Sequence, residues 1–144
     1  MDRMNTETPT VRGWRALSTP AGVAAVGVSA FVLLRIRDPH NSGSYGICPM
    51  YAVTGLWCPA CGGLRAVNDL THLDIVASLS SNILIVPFIA VLVVAWGRWV
   101  VRRWNGSADR MIVLAPATTI AVLGTLVAFT VVRNTPWGSW LAPA

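Results

Sequence analysis

The chain contains no lysine, a single glutamate and only three cysteines among its 144 residues. Charged residues make up 12% of it, about half of the roughly 25% usual in soluble domains. A fold of this size cannot cover itself against water with so few charges, which excludes an ordinary soluble globular enzyme. Disorder is excluded on separate grounds, because 54% of the residues are hydrophobic and the mean hydropathy is +0.58. Three cysteines are too few for a disulfide-rich mini-protein, and the odd number leaves one unpaired unless a metal takes it. No P-loop, nucleophile elbow, zinc-protease helix, dinucleotide glycine pattern or Cys-x-x-Cys-His haem motif occurs, nor any internal repeat.

What the sequence does have is long uncharged runs. Residues 75–97 and 111–132 give 23 and 22 residues without a charge. Each exceeds the ~18 residues that mark a membrane-spanning helix. Pro87 and Pro116 read as tolerated kinks within them. Residues 20–34 form a shorter apolar run that Arg35 extends by snorkelling, with Ser18 or Thr19 as cap and Pro20 in the first turn. A signal peptide cleaved near Val28-Ser29-Ala30 is the rival reading, but the apolar run continues to Leu34 and favours a retained helix. Ser78, Ser80, Ser81 and Asn82 crowd the start of the second run, so the span there begins near Ile83. Ahead of it, Arg65, Asn68, Asp69 and His72 fall on one helical stripe opposite Leu64, Val67 and Leu70, the pattern of a helix lying in the headgroup plane.

The sequence therefore predicts an all-α membrane protein with about three transmembrane helices and an interfacial amphipathic helix after a cysteine-containing loop. The expected single membrane domain comprises a loose cytoplasmic tail (1–19), span 1 (20–36), the cysteine loop (37–62), the interfacial helix (63–79), span 2 (83–99) and span 3 (111–132). Six of the seven tryptophans flank these spans, where indoles prefer the membrane–water interface. Arg3, Arg12, Arg15, Arg98, Arg102, Arg103 and Arg110 fall on one side, against Arg35, Arg37, Arg65 and Arg133 on the other. The positive-inside rule then makes the protein a multi-pass cell-membrane protein with a cytoplasmic N-terminus and an extracytoplasmic cysteine loop. The net charge of +5 is explained by arginines at the ends of spans, so no nucleic-acid partner is expected. The expected partner is the lipid bilayer. The small residues Ala117, Ala121, Gly124, Thr125 and Ala128 offer a face for other membrane proteins or a second copy. No span has a charged residue in its interior, which disfavours a channel or carrier.

All three cysteines lie in one stretch, with Cys48 ahead of Cys58-Pro-Ala-Cys61-Gly. Such a turn converges two sulfurs on a tetrahedral metal, and Cys48 with His72 (or His40) completes a three-sulfur, one-imidazole set for zinc or iron, although nothing in the sequence requires a cofactor. Cys58 and Cys61 are equally a disulfide candidate stapling an outward-facing loop. The alternative is a membrane thiol–disulfide oxidoreductase using Cys58 and Cys61, with Cys48 as the resolving partner and Arg65 adding positive charge. No thioredoxin-like βαβ pattern surrounds the motif. Arg65 and Asp69 are expected to pair or be solvated beside the cluster.

Cys48-Pro49, Thr54-Gly55, Cys58-Pro59-Ala60-Cys61-Gly62 and Arg65-Ala66 resemble the pattern of the short bacterial membrane proteins grouped as domain of unknown function 2752. Leu73-Asp74 and Asn82-Ile83 stand where that pattern has Gly-Asp and Asn-Pro. The resemblance implies a bacterial integral membrane protein and supplies no substrate. The expected role is accessory or scaffolding, with a structural cysteine cluster.

Overall fold

The computed structural model describes residues 13–41, 44–46, 48–107, 110–113 and 115–142. Most of the expected tail, residues 1–12, lies outside them. Among the described residues six α-helices form: α1 (Ser18–Ile36), α2 (Pro49–Thr54), α3 (Gly63–Thr71), α4 (Ile75–Ser81), α5 (Ile85–Trp104) and α6 (Pro116–Arg133). Single 3-10 turns precede α1 (Gly13–Leu17) and follow α6 (Pro136–Leu141), and no strand occurs among the described residues. Three helical segments among the described residues are long and apolar enough to cross a membrane: Gly13–Ile36, Ile85–Trp104 and Pro116–Arg133. The expected all-α membrane fold is borne out.

The polarity of the molecule is inverted relative to a soluble protein. Val26, Val28, Val91, Val93, Val94, Ile120 and Val127 are exposed on the long helices, while Asn68, Asp69, Ser78, Ser81, Asn82 and Arg133 are buried. In lipid, outward apolar side chains cost nothing, whereas polar groups must find partners inside the protein. Asn68 Nδ2 donates to Leu34 O at 2.7 Å, and Arg35 donates to Thr71 O. These contacts satisfy carbonyls that the last turns of α1 and α3 cannot bond internally. Arg35 is thus tied to α3 rather than only reaching for the interface. At the opposite end, Trp96 Nε1 donates to Pro20 O at 3.1 Å, and Trp14 packs edge-on against Trp104 with centroids 5.4 Å apart. These ties join α1 to α5 at the start of one and the end of the other.

Five local expectations need correction. The single helix expected over 63–79 is two, because Leu73 adopts φ +63° and Asp74 caps a new helix by accepting from Ala77 N at 2.9 Å. The polar stripe on α3 faces the protein: Asn68 and Asp69 are buried, while Leu64 is exposed. α5 begins at Ile85 and runs to Trp104, five residues beyond the expected end, with Arg102 and Arg103 in a last turn that favours positive charge. Its Pro87 lies in the first turn, and Pro116 opens α6, so neither proline interrupts an established hydrogen-bond ladder. Residues 111–113, expected within the third span, precede that helix.

α3 packs on α1 and α4, and α4 and α3 pack on α5. α6 packs chiefly on its own C-terminal 3-10 turn. Its small-residue face is exposed throughout. The foot of α6 meets the rest of the chain through polar contacts described next.

Candidate functional site

The cysteines are positioned by two short pieces of backbone. Cys48 precedes α2, where Pro49 takes the first helical position, at which its missing N–H is no loss. Gly55 ends α2 at φ +70°, and Tyr51 stacks on Trp57 with centroids 4.1 Å apart, folding the chain back. In the second piece, Cys61 N donates to Cys58 O at 3.1 Å and Gly63 N to Ala60 O at 2.8 Å. Gly62 at φ +80° then turns the chain into α3, a conformation that a Cβ would oppose.

The outcome is a convergence of sulfurs. Cys58 Sγ lies 3.0 Å from Cys61 Sγ and 3.6 Å from Cys48 Sγ, and all three fall within 4.8 Å of one another. All three are free thiols, with Cys61 buried and the others half-buried. Tetrahedral Zn–S bonds of ~2.3 Å place sulfurs ~3.8 Å apart, so only small adjustments separate this arrangement from a ligand set. The Tyr51 N–H and the neighbouring thiols lower the Cys48 thiol below its ordinary range, whereas burial pushes Cys61 up to about 12. A cavity of about 630 Å³ opens beside the sulfurs, lined by all three cysteines with Tyr45, Trp57 and Arg65.

The histidines and the acidic partner sit elsewhere. His72 Nδ1 lies 3.0 Å from Asn68 O and 3.2 Å from Thr71 Oγ1, outside the group of sulfurs. His40 bridges two carboxylates, 2.8 Å from Asp38 and 3.4 Å from Asp69. Asp69 also accepts from Ser81 Oγ at 2.8 Å, so its partners are on α4 and the loop before α2. The structure thus assembles three of the four residues expected around a metal.

Three residues that the sequence reading left without a role at the site hold the loop. Asn82, 1% exposed, donates to Pro59 O and Cys61 O at 2.9 and 3.0 Å, while its Oδ1 accepts from Leu84 N. Arg133, also 1% exposed, reaches Cys58 O at 2.8 Å, Cys61 O at 3.3 Å and Leu141 O at 2.9 Å. Asn134 brackets Trp57, accepting from its N–H at 2.8 Å and donating to its carbonyl at 2.9 Å. The only sequence signal for the latter pair was Arg-Asn closing an apolar run, which reads equally well as a topological marker.

Fold and site together define a helical membrane protein with a three-cysteine cluster clamped between its helices. Residues 48–96, which include all three cysteines, match the family described as protein of unknown function, DUF2752. The resemblance expected from the cysteine pattern is borne out over that segment. No curated protein and no solved structure matches the chain.

Proposed function

We propose that this protein is an accessory or scaffolding component of a cell membrane whose cysteine loop is stapled by a metal ion. The ligands are the thiolates of Cys48, Cys58 and Cys61, and the metal is divalent zinc or iron. The observation that carries this reading is the approach of all three sulfurs to within 4.8 Å from two pieces of chain separated by α2. One ion would close that loop. The fourth coordination position is left to a ligand from the adjoining cavity, since His72 bonds to its own helix. Arginine distribution supports an extracytoplasmic loop and a cytoplasmic N-terminus.

Metal analysis of the full chain purified in detergent tests the reading. About one zinc or iron per chain is expected, falling in Cys48→Ser, Cys58→Ser and Cys61→Ser. Metal-free protein whose Cys58 and Cys61 alkylate only after reduction would replace the metal with a disulfide. A membrane-impermeant maleimide, applied to metal-stripped intact cells, should label the cysteines from outside.

The 3.0 Å approach of Cys58 and Cys61, with Cys48 alongside, favours a second reading as a thiol–disulfide oxidoreductase. There a substrate dithiol becomes a disulfide as the Cys58–Cys61 disulfide is reduced to two thiols. Turnover of a model dithiol with a small-molecule disulfide supplied as the terminal oxidant, abolished in Cys58→Ser, would select it over the staple.

A further inference from the structure

We infer that Arg133 is the built-in counter-charge of the cysteine centre, making it a site for a divalent cation held by thiolates. The inference rests on the metal reading above and concerns a residue remote in sequence from the loop. Arg133 is 1% exposed, yet no carboxylate among the described residues lies within ion-pair distance of it. Among the described residues, its terminal nitrogens meet only carbonyl oxygens, of Cys58, Cys61 and Leu141, and its Nε meets no acceptor. Phe129 covers one face of the guanidinium, with the ring centroid 4.9 Å from Cζ.

A guanidinium stays charged in proteins, and a buried charge without a counter-charge is costly. Carbonyl dipoles offset part of that cost but carry no net charge. Among the described residues, the groups that can become anionic beside Arg133 are the sulfurs of the two residues whose carbonyls it holds. If those sulfurs form a disulfide and Cys48 remains a thiol, the neighbourhood carries an uncompensated positive charge. With three thiolates and one divalent cation the complex carries a single negative charge, and Arg133 brings the assembly to neutrality. Loading the metal then releases three thiol protons and breaks no other bond. Asn82 and Asn134 clamp the same loop without charge, so the chain separates geometric from electrostatic support among three residues.

The test is zinc affinity of the full chain in detergent, measured by competition with a chromogenic chelator. Arg133→Gln should weaken zinc by ~10–100-fold, the range typical of groups that support metal ligands from behind. Arg133→Lys keeps the charge, loses the branched donor geometry, and should recover most of that loss. Asn134→Ala removes uncharged clamp contacts alone and should weaken zinc less than Arg133→Gln does. Wild-type affinity in Arg133→Gln would overturn the inference, as would equal losses in the Gln and Lys variants, which make Arg133 a clamp only. If Arg133→Gln does not fold, Arg133→Lys decides alone: a tenfold or greater loss refutes the counter-charge and near-wild-type affinity supports it. Wild-type protein that binds no zinc or iron would instead overturn the metal reading itself.

Discussion

At the residue scale, the three cysteines are chemically unequal although they lie side by side. Cys48 receives a backbone N–H and neighbouring thiols, which favour its anion, while burial holds Cys61 protonated up to about 12. In metal-free protein at pH 8, iodoacetamide should therefore modify Cys48 first and Cys61 last, as followed by peptide mass mapping. The two shifts act on stability with opposite signs. The lowered Cys48 value contributes stability above its ordinary pKa of 9.0, lost as pH falls through the folded value. The raised Cys61 value contributes below 9.0 and is lost as pH rises from 9.0 towards 12. Thermal melts of the metal-free chain should accordingly decline across that alkaline window, and Cys61→Ala should flatten the decline.

At the element scale, the break between α3 and α4 concentrates two opposing local effects. Leu73 sits at φ +63° with 87% of its surface exposed, so it is strained and contributes little packing. Leu73→Gly should relieve about 1 kcal/mol, the usual cost of a left-handed residue with a side chain. Asp74→Ala removes the cap on Ala77 N and should cost about 1 kcal/mol. Chemical denaturation in mild detergent would resolve the two opposite shifts. Gly138 sets a harder limit, since an added Cβ would lie 1.9 Å from Val132 O. Gly138→Ala should push the last 3-10 turn off α6, withdraw Leu141 O from Arg133 and lower the melting temperature.

The three long helices were legible because a bilayer demands only length and apolarity, which charge-free runs state directly. The break at Leu73 was less legible, because Leu-Asp before an apolar run signals a helix start only when the residue before it is known to turn. The stripe of Arg65, Asn68, Asp69 and His72 was found correctly as one face, but periodicity does not say what a face meets. A helix lying in the headgroup plane would present that face to the headgroups. Here its middle residues, Asn68 and Asp69, turn inward, to Leu34 O and Ser81. Arg133 and Asn134 escaped notice at the site because their partners lie more than seventy residues away.

At the scale of the whole molecule, apolar side chains lie outside and polar groups inside. The untagged protein should sediment with membranes on ultracentrifugation and enter the supernatant only with detergent. Recovery in the soluble fraction without detergent would contradict the fold as described.

The long flank of α6 lies apart from the other spans, and its foot is pinned by one guanidinium and one carboxamide. A rod fastened at one end pivots about its fastening. A shift of the Cys58 and Cys61 carbonyls would therefore swing the other end of that rod furthest.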